Sequence, residues 1–330
     1  MKTRPAAVGA LFATTTALAW GGQFVVGKSA LGTVNAFPLS TIRYAVASLL
    51  WLAVLAVVEG RRSLSPAGHG LRLFWLGSLG FAGFNLLAYT GLAHARPQSA
   101  SLIVALAPLL TALVLWRRTG VRPSATTFAL LGVALAGVVL VISGGHPSTI
   151  VNGSIGWGDA LVLGGVFSFV LYGLGASRLP DFSPLRYTAL TSGLGWLTLA
   201  GATAAAAAVG LVPLPSAHEL VAVSPQIAYL ALPGAFIAVL TWNSAIGLLG
   251  ARNAVLFGNL IPVTTFAIET VRGYRPGAVE VAGAALTIGA LLASNLVGRR
   301  GAAPEGRRVA REERHLGQRR EQRVLIADAD

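Results

Sequence analysis

Chemistry in this chain would fall to the polar and aromatic side chains that interrupt long apolar runs. The stretch 241–262, TWNSAIGLLGARNAVLFGNLIP, is a mainly apolar run interrupted by Trp242, Asn243, Asn253 and Asn259, and breaks tightly at Gly250-Ala251-Arg252-Asn253. Polar groups at such depth are costly and usually face a bundle interior or a cavity. Trp20, Gln23 and Gly27 recur at i, i+3, i+7, one face of a helix. Asn85 and Tyr89 are paired at i, i+4, as are Ser168 and Tyr172. A wall of this kind can stack on one part of a small solute and hydrogen-bond another. Hydrogen bonding between helices is the competing use of each stripe. Neutral amides with aromatics suit a zwitterionic or weakly polar solute, whereas a multiply charged phosphate would call for arginines at depth.

Three prolines, Pro108, Pro233 and Pro262, fall inside apolar runs. Each removes a backbone hydrogen bond and can kink its helix, so Pro108 and Pro262 are candidate hinges. Few ionisable residues are embedded. Lys28 and Arg43 lie near the ends of the first two apolar runs, Asp159 near the start of the sixth, and Glu269 three residues before Arg272. Lys28 and Glu269 are gating candidates, although an i, i+3 Glu–Arg pair is also an ordinary stabilising contact. No carboxylate falls near the middle of a run, which argues against obligatory proton coupling.

Catalytic signatures are missing. The chain lacks cysteine, and its five histidines form no i, i+4 ligand pair. No catalytic residue, metal or cofactor is expected.

Hydrophobic residues make up 54% of the 330 residues and charged ones 11%, against about 25% charged in soluble domains. This composition indicates an all-α integral membrane protein; the alternation of a membrane β-barrel is not seen. Runs of about 20 apolar residues fall at 6–27, 38–58, 72–93, 98–116, 125–142, 159–177, 187–209, 227–249, 253–271 and 278–297. Ten transmembrane helices are therefore expected, the first retained rather than cleaved as a signal peptide. With the N-terminus in the cytoplasm, only Lys28, Arg43, Arg96, Arg272 and Arg275 of the 25 basic residues fall outside, as the positive-inside bias requires. Both termini are then cytoplasmic. Most of the basic residues behind the net charge of +13 lie on that side, nine of them arginines in the tail 298–330, where glutamates and aspartates accompany them. A solvated cytoplasmic extension or one that touches anionic lipid headgroups is expected there, not a nucleic-acid site.

The chain also repeats itself. Residues 9–28 align with 158–177, Pro38-Leu39 and Arg43-Tyr44 with Pro184-Leu185 and Arg186-Tyr187, Pro108 with Pro262, and Arg122-Pro123 with Arg275-Pro276. The expected units are 1–142 and 159–297, joined by an external connection at 143–158. Five helices per unit is odd, so the second copy is inverted, the mark of alternating-access transporters with a site between the halves.

Through Trp20-Gly21…Lys28, Arg43-Tyr44, Pro108 and Trp242-Asn243…Gly250-Ala251…Pro262 the chain resembles EamA-type members of the drug/metabolite transporter superfamily over about 6–297. The resemblance implies ten helices, a central cavity and export of small metabolites or amino acids from a bacterial cytoplasmic membrane. One departure is that the Leu-Gly-Glu-Pro-like ends of the family's fourth and ninth helices read Thr119-Gly-Val-Arg-Pro123 and Arg272-Gly-Tyr-Arg-Pro276 here, without glutamate. An intramembrane enzyme acting on lipid-linked substrates and a non-transporting scaffold are the alternatives. Small residues at every fourth position, Gly132 and Ala136 in the fifth segment and Ala285, Gly289 and Ala293 in the tenth, mark close packing or a homodimer seam.

Overall fold

The computed structural model describes residues 3–120, 122–144, 146 and 156–294. The tail 298–330 and most of the 143–158 connection lie outside the described residues.

Among the described residues the chain is helical, and a helix lies on each apolar run. These are α1 (Thr3–Ala30), α2 (Ala36–Val58), α3 (Gly70–His94), α4 (Pro97–Ala105 with Ala107–Thr119), α5 (Ala125–Ser143), α6 (Trp157–Ala176), α7 (Pro184–Ala208), α8 (Ser224–Leu249), α9 (Asn253–Val271) and α10 (Ala278–Ser294). Six of them, α2, α3, α5, α6, α8 and α9, are long and apolar enough to cross a bilayer; α4 makes a seventh if its two bent pieces form one span. Leu11, Leu49, Val57, Leu71 and Val271 are exposed, as lipid-facing side chains are and those of a water-soluble fold seldom are in such number.

Local chemistry sets several helix starts. Asn35, Ser124 and Ser183 accept from backbone N–H groups in the first turns of α2, α5 and α7, satisfying donors that have no partner within the helix. A short helix, Ala217–Ala222, opens with a reciprocal capping box between Ser216 and Glu219.

Two helices contain π-helical turns, Ser78–Gly83 in α3 and Leu230–Ile237 in α8. Pro233 lies in the second and brings no N–H to the ladder. The bend in α4 is 41° and falls at Leu106, two residues before Pro108. In α9 the regular helix is interrupted at Asn259, three residues before Pro262.

The helices pack as α1 on α8 and α9, α2 on α7, α3 on α6 and α7, and α4 on α9. Hydroxyls stitch these contacts. Thr16 bonds Thr241 at 2.8 Å, Thr41 bonds Thr203 at 2.8 Å, and Ser78 bonds Thr198 at 2.7 Å. Backbones come closest at glycine. A Cβ on Gly77 of α3 would lie 2.2 Å from the Thr191 carbonyl oxygen of α7.

The bundle has two distinct ends. At one, Lys28 Nζ donates to the carbonyls of Leu92 and Ala93 at 2.9 and 2.8 Å. At the same end Arg96 reaches the Ile142 carbonyl at 3.2 Å and pairs with Glu280. At the other end Arg186 donates to the carbonyls of Ser63 and Ser65 at 3.0 and 2.8 Å, and Arg72 donates to the Arg178 carbonyl at 3.2 Å. Lys28, Arg96, Arg72 and Arg186 thus hold backbone carbonyls at or near helix ends, where acceptors lack intrahelical donors.

A cavity lined from both halves of the chain

A cavity of about 590 Å³ lies between the helices, within the range of small-molecule sites. Helices α1 to α4 supply one part of its wall, and α6 to α9 the other. It runs past Tyr172 and Ala176 to Leu179, Phe182 and Pro184, so it approaches the Arg186 end. At the Lys28 end the bonds from Lys28 and Arg96 tie the helix ends together.

The wall is mainly aromatic and aliphatic. Tyr44, Phe81, Tyr172 and Tyr187 form a chain of ring contacts across it, with centroids 5.3, 5.3 and 5.1 Å apart. The last pair is stacked at 18° between planes. Trp20 of α1 faces Trp242 of α8 with centroids 5.5 Å apart. Both π-turns contribute, through Gly80 and Phe81 and through Gly234 and Ala235. Such turns recur where helices serve a site, since they displace the backbone and free a carbonyl.

Of the residues singled out in the sequence, Trp20, Gln23, Tyr172, Trp242, Asn243, Asn259 and Pro108 line this cavity. Asn85, Tyr89 and Ser168 do not. Asn85 is fully buried and donates to the Phe81 carbonyl of its own helix at 2.7 Å. Ser168 donates to the Leu79 carbonyl at 2.8 Å, which fastens α6 to the π-turn of α3. Tyr89 stands behind the wall and holds Arg43. Pro262 is buried just beyond Asn259, outside the lining. Lys28 is spent on the α3 carbonyls, and Glu269 pairs with Arg272 at 3.4 Å away from the cavity.

Contrary to the expectation that signature motifs are missing, residues 22–29 spell G-x-x-x-x-G-K-S, the pattern of a phosphate-binding loop. Here they lie within uninterrupted α1 and Lys28 is already bonded. The backbone donors that would cradle a phosphate are used in the helix, so the match carries no nucleotide site.

The sequence reading missed Arg43 as part of the wall, together with Tyr44, Phe81, Phe169 and Tyr187. Arg43 is 2% exposed. It donates to Tyr89 Oη through Nη1 and to Gln23 Oε1 at 3.4 Å through Nη2, and its guanidinium lies 4.9 and 4.8 Å from the Tyr44 and Tyr89 ring centroids. The available signal was an arginine seven residues inside an apolar helix, too deep to reach water easily.

Known proteins place this architecture. The model of the EamA-like transporter family matches twice, at residues 7–143 and 156–296. The chain is 30% identical to the uncharacterized transporter YrdR of Bacillus subtilis, over 91% of this chain and 95% of that protein. It is 32% identical to the uncharacterized transporter YyaM of the same organism, over 84% and 90%. A probable terminal-alkyne amino-acid exporter of Streptantibioticus cattleyicolor is 28% identical over 89% and 96%. A solved crystal structure with 21% identity superposes with a TM-score of 0.61 over 88% of this chain and 98% of the other, a likeness of fold. A cavity walled by both halves of a twice-matched, apolar helical chain agrees with these relatives: the protein belongs to the EamA-like transporter family.

Proposed function

We propose that the protein is a secondary transporter that carries a small solute by alternating access. In this reading all ten helices cross the cytoplasmic membrane of a bacterium, in two inverted halves, with both termini in the cytoplasm. The observation that carries the proposal is the cavity built jointly by the two halves, since a site at a repeat interface is where rocking halves expose a solute to each side in turn.

The packing supports the inverted arrangement. Exchanging α1–α5 with α6–α10 turns the α1–α8 contact into the α6–α3 contact and maps α2–α7 and α4–α9 onto themselves. The π-turns of α3 and α8 and the breaks of α4 and α9 fall at matching places. Helix α1 finishes at the Lys28 end, whereas Gly158 of α6 starts beside Gly91 there. Equivalent helices thus run in opposite directions. The positive-inside bias puts the Arg186 end in the cytoplasm, so the cavity described here faces inward.

Export of an amino-acid-like metabolite fits the relative named as a probable amino-acid exporter and the neutral amides and aromatics of the wall. The breaks at Pro108 and Pro262 are the proposed hinges. A homodimer seam on α5 or α10 is also proposed, since Gly132 and Gly289 face open space. The test is exchange of labelled amino acids and aromatic carboxylates across proteoliposomes containing the purified protein. Saturable exchange, absent from empty vesicles, is expected; no exchange by any solute of the panel would overturn the proposal.

A further inference from the structure

The wall of the cavity holds one formal charge. Among the described lining residues Arg43 is the only cation, and no Asp or Glu is present. The described ion pairs of the chain, Arg96–Glu280 and Arg272–Glu269, lie elsewhere. Of the five N–H donors that a guanidinium carries, two are engaged, by Tyr89 and Gln23. Nε is buried without a hydrogen-bond partner. The two rings beside the guanidinium offset part of its charge by cation–π attraction. No countercharge does so.

A buried charge left unpaired in an apolar bundle is costly, and within membranes such residues mark solute pathways. Arg43 stands where α1, α2 and α3 meet. Its partners Gln23 and Tyr89 hold the guanidinium from two sides, and the aromatic chain beginning at Tyr44 leads away from it along the wall. The geometry therefore offers an anion receptor at one place and an extended apolar surface beside it.

We infer that the cavity selects a monoanion with an apolar or aromatic body, a carboxylate carrying no ammonium group, with Arg43 holding the carboxylate. This rests on the transport reading above but departs from its amino-acid-like solute, keeping the carboxylate and excluding the ammonium group. A free amino acid would bring an ammonium group that meets no carboxylate in the wall, while a multiply charged phosphate would exceed the single cation. A planar carboxylate matches the guanidinium donors, which can bind it through two hydrogen bonds.

The test compares four probes with one aromatic body: 3-phenylpropanoate, its uncharged amide, phenylalanine and phenethylamine. Dissociation constants are read on purified full-length protein by quenching of tryptophan fluorescence, for which Trp20 and Trp242 in the wall are reporters. A charge-assisted contact predicts that the carboxylate binds at least about tenfold more tightly than the amide. Phenylalanine and phenethylamine bind more weakly than the carboxylate. In Arg43→Gln, with folding checked by its unfolding transition, the carboxylate-to-amide ratio falls to about one. The wild-type ratio alone tests the inference if that variant does not fold. A wild-type ratio near one, tighter binding of phenylalanine, or a ratio unchanged in Arg43→Gln would overturn it. A ratio near one with solute exchange intact removes the inference alone. A full ratio without exchange removes only the transport mechanism, and no binding by any probe removes both.

Discussion

Trp20 donates its indole N–H to the carbonyl oxygen of Gly234 at 3.1 Å. That carbonyl is free because the π-turn sends the N–H of Ala238, its normal partner, to Pro233 instead. The bond joins α1 to α8 across the two halves and turns the Trp20 ring toward Trp242. Trp20→Phe keeps a ring in place but removes the donor, and is expected to cost about 1 kcal/mol of stability, the usual net worth of one hydrogen bond. Trp242→Ala removes one aromatic ring from the cavity wall and is expected to weaken solute binding about tenfold or more. Denaturant titration and a binding isotherm on each variant separate the two effects.

Close packing predicts a contrast between two glycines. Gly77→Ala would place a methyl 2.2 Å from the Thr191 oxygen, and overpacking of this kind costs about 1–3 kcal/mol. Gly132→Ala meets nothing within 4 Å and should stabilise α5 slightly, by about 0.5–1 kcal/mol, through helix propensity. Unfolding midpoints of both variants in the same detergent should move in opposite directions; equal shifts would contradict the packing.

Much of this architecture was legible in the sequence, because long apolar runs have few stable alternatives in a membrane. The prolines and amides that interrupted those runs located the breaks in α4 and α9. The cavity wall was only partly legible. The i, i+4 pairing of Asn85 with Tyr89 named a helix face, but side chains on such a face can turn to their own backbone, as Asn85 does toward Phe81. Nothing in the sequence says which polar stripe meets a cavity and which meets a neighbouring helix. The sequence places Arg43 near the end of its apolar run, a position from which a long side chain can also extend to water. Its burial is set by Gln23 and Tyr89, which are distant in sequence and converge only in the fold.

Lys28 serves as a helix cap from outside the helix. Lys28→Met leaves the Leu92 and Ala93 carbonyls without their ammonium donor, a loss of about 1–2 kcal/mol for charge-assisted bonds at a helix C-terminus. If capping is its whole role, Lys28→Met lowers the unfolding midpoint while the exchange rate per folded molecule stays near wild type. A stable but inactive variant would instead make Lys28 part of the gate.

Glu269 and Arg272 form a partly exposed i, i+3 pair at 3.4 Å, remote from the cavity. Transport is therefore expected to follow the solute gradient, and Glu269→Gln to retain most of the flux. Uptake into proteoliposomes with and without an imposed pH gradient decides this. Accumulation that needs the pH gradient and vanishes in Glu269→Gln would make Glu269 the coupling group.

The capping box gives a pH dependence with a definite sign. Hydrogen bonds from the Ser216 backbone N–H and hydroxyl hold the Glu219 carboxyl below its ordinary range. The stabilisation is thus fully present above the unfolded-state glutamate pKa and is lost as pH falls through the lowered folded value. Amide hydrogen exchange of residues 216–222, corrected for intrinsic rates, should show protection that declines on acidification. Glu219→Gln should abolish that decline.

The central claim is that one cavity is exposed alternately to the two sides of the membrane. The sequence has no cysteine, so Asn243→Cys in the cavity wall gives a single reporter. The measurement is its modification by a membrane-impermeant thiol reagent in right-side-out and in inverted vesicles. Alternating access predicts labelling from both faces, with a bound solute changing the two rates in opposite directions. Labelling from one face alone, with or without solute, would contradict it.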